Sequence, residues 1–147
     1  MDNVTHYRQI IKDILNGYAA IPFSYGEIQQ QVFIDKEENN FFLFNIGWHN
    51  KKRVHGCVVH IEIIDDKLWI QQDGIEDGIA NDFLSAGIPK DKIVLAFHPP
   101  SIRPHTEFAV SWVEKLLVGN SKERTIGAST WHLILIFLKY SSPSYLP

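Results

Sequence analysis

Cysteine is almost absent from this chain, and that absence limits the chemistry available to it. Cys57 is the only cysteine among the 147 residues, which excludes an intramolecular disulfide and zinc sites built on two or four cysteines. A lone thiol is typical of proteins in a reducing compartment. Because the N-terminus is also polar, unlike an export signal, the sequence predicts a cytoplasmic protein.

The chain also lacks a long apolar run and an excess of basic residues. Its longest apolar run, residues 133–138, is far shorter than the ~20 residues that a membrane-spanning helix needs. We therefore expect no membrane association. The net charge of −3 does not provide the basic face that nucleic-acid binding favours, so any DNA contact is expected to be indirect or weak.

Two motifs of catalytic sites are missing as well, a glycine-rich phosphate loop and a zinc-binding HExxH helix. No cofactor, metal or catalytic residue is predicted.

His60 and Glu62 lie two residues apart on a predicted strand. This spacing would suit a general base with its orienting acid, or half of a metal site. Because any alternating strand produces this spacing, a structural or interface role is favoured. A small metal-dependent hydrolase built on these two residues and His98 remains an alternative.

What the chain does contain is a regular alternation of apolar and polar residues that predicts an α+β fold. Residues 3–19 form the expected N-terminal helix, with Asn3 as its N-cap. A four-stranded antiparallel meander, a helix, a further strand and an irregular or helical C-terminal segment follow. These elements are predicted at residues 31–36, 41–50, 53–64, 67–72, 76–86 and 92–97. The domain is expected to span residues 1–118, and residues 119–147 to be a C-terminal extension of uncertain structure.

The register of the two long strands follows from a two-residue turn predicted at residues 51–52. With this turn, the apolar residues of both strands fall on one core face. They are Phe42, Phe44, Ile46 and Trp48 on one strand and Cys57, Val59, Ile61 and Ile63 on the next. A second turn at residues 65–66 pairs Ile63 with Leu68 and Ile61 with Ile70. The position of Cys57 on this face predicts a buried, inert thiol.

The opposite face mixes aromatic, aliphatic and polar residues, a composition that is common on association surfaces. Its candidate interface residues are Phe41, Leu43, His60, Glu62, Trp69 and Gln71. We expect this face to bind a partner protein or a second copy of the chain, as in a homodimer. Lys51, Lys52 and Arg53 form a basic cluster that could contact phosphate or an acidic partner, although a solvated turn is the favoured explanation.

Five blocks of the sequence, taken in order, resemble one known family. They are YRQII at 7–11, IPFSYGEI at 21–28, GWHNKKRVHGCVVHIEI at 47–63, KLWIQQDGIEDGIANDFLSAGIPKDKIVLAFHPP at 67–100 and TEFAV at 106–110. Over these blocks the chain is similar to XisI, the fdxN element excision controlling factor. The resemblance ends after about Val110.

The resemblance implies a small cytoplasmic α+β protein that controls site-specific excision of a DNA element. In that role it would act with a companion protein, XisH, and a recombinase, and would not itself be an enzyme. The family supplies no catalytic residues to carry over. An alternative within the same resemblance is a regulatory subunit that restrains or activates an XisH-like nuclease in a toxin–antitoxin or defence pair.

Overall fold

The computed structural model of the chain describes residues 2–24 and 26–110. Its elements are α1 (Asn3–Ala19), β1 (Glu27–Ile34), β2 (Asn40–His49), β3 (Lys52–Ile64), β4 (Lys67–Asp73), α2 (Ile79–Ser85) and β5 (Ile93–Leu95), with 3-10 turns at Lys90–Lys92 and Arg103–His105. The strands form a sheet in the order β1-β2-β3-β4-β5. The first four pair antiparallel, and β5 runs parallel to β4. The predicted α+β fold is confirmed.

The predicted C-terminal extension and its boundary at residues 118–119 lie outside the described residues. Within the part of the chain that the structure describes, no helix is long and apolar enough to cross a membrane.

Helix α1 begins immediately after Asp2, whose carboxylate accepts a hydrogen bond from the Thr5 backbone N–H at 2.8 Å. The prediction of Asn3 as the N-cap is wrong, because Asn3 is already helical whereas Asp2 has the extended backbone that a cap requires. The predicted span of the helix, residues 3–19, is confirmed. Its buried residues are Tyr7, Ile11 and Leu15, at the four-residue spacing of a core-facing stripe.

The core lies between one face of the sheet and the two helices. Its fully buried strand residues are Phe41, Leu43, Val59, Ile61, Leu68, Ile70 and Ile93. Tyr18 of α1 also donates a hydrogen bond to the Asp82 carboxylate of α2 at 2.5 Å. This bond, assisted by burial, raises the pKa of Tyr18 to about 12, so the hydroxyl keeps its proton and holds the two helices together.

The core face of β2 is the opposite of the predicted one, because a β-bulge interrupts its pairing with β3. Leu43 pairs with Val59 but the next residue, Phe44, pairs with Cys57, so Val58 is an extra residue on β3. A single extra residue exchanges the faces of the strand beyond it. Val59 therefore points to the core together with Leu43, and Phe44 lies on the other face.

The turn between β2 and β3 also differs from the prediction. Asn50 and Lys51 form it with φ angles of 48° and 63°, and His49 pairs with Lys52.

On the other side of β2, close pairing with β1 requires a glycine at position 47. A Cβ on Gly47 would lie 1.9 Å from the carbonyl oxygen of Glu27. The position of this glycine therefore determines how closely β1 can approach β2.

The register of β4 agrees with the sequence. Ile63 pairs with Leu68 and Ile61 with Ile70, as the turn at residues 65–66 predicts. Beyond these pairs a second bulge makes Gln71 the extra residue, because His60 pairs with Gln72. Both bulges lie beside residues 58–61 of β3. There the pairing of β3 with each neighbouring strand shifts by one residue.

Candidate functional site

We use the term outer face for the side of the sheet directed away from α1 and α2. Five of its aromatic residues lie near one another: Phe33 on β1, Phe42 and Phe44 on β2, and His55 and His60 on β3. Their rings form a continuous row across three strands, with centroids 5.7 Å apart for Phe33 and Phe44, 6.2 Å for Phe42 and Phe44, 5.8 Å for Phe44 and His55, and 4.2 Å for Phe42 and His60. The side chain of Phe33 is 46% exposed, so this row is open to solvent at the β1 end.

His60 is held in place by a stack and a hydrogen bond. Its ring lies over Phe42 with an interplanar angle of 19°, and its Nε2 lies 3.0 Å from Asn40 Oδ1. Asn40 in turn donates from Nδ2 to Asp35 Oδ2 at 3.0 Å, which leaves its oxygen to accept from His60. Burial lowers the pKa of His60 below its usual 6.5, and the nearby Glu62 opposes this only partly. The imidazole is therefore neutral at pH 7, with Nε2 as the donor.

The arrangement of His60 and Glu62 does not form a base with its orienting acid. Glu62 accepts a hydrogen bond from Gln71 Nε2 at 3.2 Å, whereas the hydrogen bond of His60 goes to Asn40. Among the described residues, no three His, Cys, Asp or Glu side chains come together in a way that could hold a metal ion. His98 thus does not join His60 and Glu62, and the geometry gives no support to the hydrolase alternative.

Three residues of the predicted interface are not on the surface. Phe41 and Leu43 are fully buried in the core, and Trp69 is only 7% exposed. The first two were placed on the wrong face because the sequence does not reveal the bulge at Val58. His60, Glu62 and Gln71 remain on or beside the outer face, and their role in an interface stays a prediction.

Trp69 is covered by the segment that follows β5. The guanidinium of Arg103 lies over the indole, 5.7 Å from its centroid, and donates to the carbonyl oxygens of His98 and Ala96 at 3.0 and 3.2 Å. The indole Nε1 is buried without a hydrogen-bond partner among the described residues. Trp69 and Arg103 are far apart in the sequence, and no local pattern indicates their contact. Sequence reasoning therefore could not predict that Trp69 is covered.

Sequence reasoning did not place Phe33, Phe42 and Phe44 on the outer face. The alternation of β2 correctly grouped Phe42 with Phe44, but it could not show which of the two faces the helices cover. Phe33 lies on the edge strand, where it packs edge-on against Phe44.

Cys57 is not on the core face, which corrects the prediction. It lies opposite Phe44, and its Sγ–H donates to the Val59 carbonyl oxygen at 3.3 Å. Burial nevertheless raises the pKa of the thiol. Because the thiolate is the nucleophilic form, this cysteine is poorly suited to covalent chemistry on either face.

The basic cluster lies at the turn between β2 and β3. Lys51 and Lys52 are exposed, whereas Arg53 is restrained: it donates to the Gly47 carbonyl oxygen at 3.2 Å and lies 5.4 Å from the centroid of the Trp48 ring. Trp48 is 50% exposed. The cluster is therefore an exposed basic corner beside Trp48, and its contact with phosphate or an acidic partner stays a prediction.

Comparisons with known proteins agree on one family. The model of the family described as XisI protein matches residues 1–110. An XisI-like protein from Anabaena variabilis ATCC 29413 is 30% identical, with a TM-score of 0.68 over 74% of this chain and 99% of that one. The fdxN element excision controlling factor XisI from the same organism is 35% identical, with a TM-score of 0.64 over 75% of this chain and 100% of that one. No curated protein sequence matches the chain.

Proposed function

Because this chain belongs to the XisI family, we propose that it is a non-enzymatic controlling factor for the excision of a DNA element and that it acts by binding a protein partner. A role in excision control is supported by the family match over residues 1–110 and by the 35% identity to a protein named for that role. The partner and the way it is bound are our proposal.

The observation that carries the proposal is the outer face of the sheet. Helices cover the core face, whereas the outer face presents a row of aromatic rings bordered by Glu62, Gln71 and the exposed Trp48. Aromatic residues surrounded by polar groups are enriched in protein interfaces, and such anchors supply most of the binding energy. His60 is fixed in orientation and neutral, as an interface residue would be.

We propose an XisH-like protein as the partner on this face, with the recombinase joining through it. Direct binding to DNA is not favoured, because the chain carries 14 basic and 17 acidic residues and a principal DNA-binding subunit is usually basic. The lone cysteine fits action in a reducing cytoplasm. The basic corner at Lys51 and Lys52 is available for an acidic region of the same partner.

The experiment measures binding of the full chain to the XisH-type protein from the same genome by calorimetry. Replacing both Phe42 and Phe44 by alanine should weaken binding by about tenfold or more, as loss of an aromatic anchor does. The control is Ile21→Ala, a substitution of an exposed apolar residue that follows α1 and lies away from the outer face; it should leave the affinity for the XisH-type protein unchanged.

A second measurement addresses DNA. The chain alone should bind element DNA weakly, and the excision complex should require the partner. Tight binding by the chain alone, falling steeply with salt, would contradict action through a partner, and so would equal losses of affinity in the phenylalanine and Ile21 variants.

A further inference from the structure

Strand β1 is an open edge of the sheet. It pairs with β2 on one side, and no other strand of residues 2–24 and 26–110 pairs with its second side. The opposite edge is different, because β5 has only three residues and its Val94 forms a bridge with Ala109. Proteins usually protect an edge with short strands, prolines, bulges or charges. β1 has eight residues, no proline and no bulge, and its only charge is Glu27 at the first position.

The hydrogen-bond pattern identifies the backbone groups that β1 directs outward. The backbone N–H of Asp35 donates to the Asn40 carbonyl oxygen at 3.2 Å, so these residues form a hydrogen-bonded pair. Hydrogen-bonded and non-hydrogen-bonded pairs alternate along antiparallel strands, and the register from Ile34 back to Glu27 is unbroken. The even-numbered residues from 28 to 34 therefore point their N–H and C=O groups away from β2.

We propose that β1 pairs antiparallel with β1 of a second copy of this chain, about a two-fold axis at Gln30. In this register Gln30 lies opposite Gln30 of the second copy, Ile28 opposite Val32, and Gln29 opposite Gln31. The outward backbone groups of both copies then bond to one another, and the two sheets become continuous. This inference stands apart from the excision role and does not depend on it.

The charges select this register. Moving the axis to Gln31 would place Glu27 opposite Asp35, and moving it to Val32 would place Glu27 opposite Glu37. Like charges directly opposite each other destabilise a sheet. Moving the axis the other way, to Gln29, would leave Ile34 and Phe33 without a residue of β1 opposite them. Only the axis at Gln30 pairs residues 27–33 in full with no opposed carboxylates.

Apolar side chains beside β1 give the pairing surface to bury. Ile34 is 37% exposed on the strand itself, and Ile21 and Phe23, at 60% and 42%, line a groove along residues 28–30. By symmetry, Ile28 and Val32 form two apolar cross-strand pairs on the helix side. Gln29 and Gln31 are exposed on the outer face, and each amide can both donate and accept.

A second copy fits this edge better than an unrelated strand because β1 is complementary to itself. Its charge is at one end, its centre consists of three glutamines, and apolar residues flank them as EIQQQVFI. A strand read in the opposite direction therefore meets apolar residues with apolar residues and amides with amides over residues 28–32, and Glu27 lies opposite Phe33 at each end.

The test is sedimentation velocity of the full chain over a range of concentrations, where we expect a dimer. In the double variant Q29E/Q31E, each dimer contains two directly opposed Glu–Glu pairs, and at ~1 kcal/mol per pair the dimer should weaken by about tenfold to thirtyfold. Both positions are exposed, so the fold should be kept, which circular dichroism verifies. Q29E/Q31K is the matched control: it opposes Glu to Lys in the proposed register only, and should dimerise as the natural sequence does.

Amide exchange gives an independent measurement. The N–H groups of Gln30 and Val32 should exchange slowly in the natural sequence and rapidly in Q29E/Q31E. The N–H groups at positions 29 and 31 bond to β2 and should stay protected in both proteins. A monomeric natural chain would overturn the proposal, and protected Gln30 and Val32 in that monomer would assign the edge to another segment of the same chain. A dimer that Q29E/Q31E leaves intact, or that Q29E/Q31K also disrupts, would overturn it equally.

Discussion

The two faces of the sheet use phenylalanine in opposite ways. Phe41 on the core face is fully buried and belongs to the core cluster that the helices and the sheet share. Its neighbour Phe42 is only partly buried and stacks on His60. Adjacent residues of identical chemistry therefore have different surroundings, and the layer covering each face, not the residue type, decides whether a phenylalanine is buried in the core or partly exposed.

The bulge at Val58 is what separates these roles. Without it, Phe42 and Phe44 would share a face with Val59 and Ile61, and the aromatic row would be part of the core. The extra residue lets β3 contribute Val59 and Ile61 to the core while His55 and Cys57, before the bulge, stay on the outer face with Phe44.

The largest expected effect comes from substituting the two neighbouring phenylalanines separately. Phe41→Ala should lower the free energy of unfolding by about 3–5 kcal/mol, because it leaves a cavity beneath the helices. Phe42→Ala should cost less than about 1.5 kcal/mol, because its ring is partly exposed and mainly loses the stack on His60. Denaturant unfolding of both variants measures the difference. Equal losses would mean that the two faces are not distinct in the way described.

A smaller loss of stability is expected from a substitution at Gly47, where β2 lies against the edge strand β1. Gly47→Ala should destabilise the protein by about 2 kcal/mol or more, since the new Cβ would fall 1.9 Å from the Glu27 carbonyl oxygen and push β1 away from β2. Gly56→Ala on β3 is the control, because a Cβ there meets nothing within 4 Å. Its change should stay within about 0.5 kcal/mol. Thermal unfolding compares the two, and similar midpoints would argue against the close approach of the strands.

The smallest effect concerns pH and tests whether the outer face is partly desolvated. Because burial lowers the pKa of His60 in the folded state, the unfolded chain binds this proton more readily. The contribution of neutral His60 to stability is therefore complete above its usual pKa of 6.5 and is lost as pH falls from there through the folded pKa. His60→Gln should flatten this part of the stability profile. An NMR titration that places the pKa of His60 at or above 6.5 would contradict the prediction.

Local periodicity was sufficient for the order of the elements, although β1 spans Glu27–Ile34 and not the predicted residues 31–36. The span of α1, the order of helices and strands, and the pairs Ile63–Leu68 and Ile61–Ile70 follow from apolar spacing and from a turn whose residues are explicit in the sequence. The resemblance to XisI, read from blocks between Tyr7 and Val110, is confirmed by the family match. These features depend on residues close together in the chain, so the sequence determines them directly.

The candidate site was harder to predict because its position depends on contacts between distant parts of the chain. His60 and Glu62 were recognised as a pair, but their partners, Asn40 and Gln71, were not, since those contacts follow from the strand register. Trp69 was expected on the surface and is covered by Arg103, which approaches from beyond β5.

By itself, then, the sequence determined the types and order of the elements and the family to which the chain belongs. Only the tertiary structure decided which side of the sheet is the core. An alternating strand has two faces that local propensity treats alike, and one extra residue at Val58 exchanges them. The choice is made by the helices, which bury Phe41 and Leu43 and leave Phe42 and Phe44 partly exposed on the outer face.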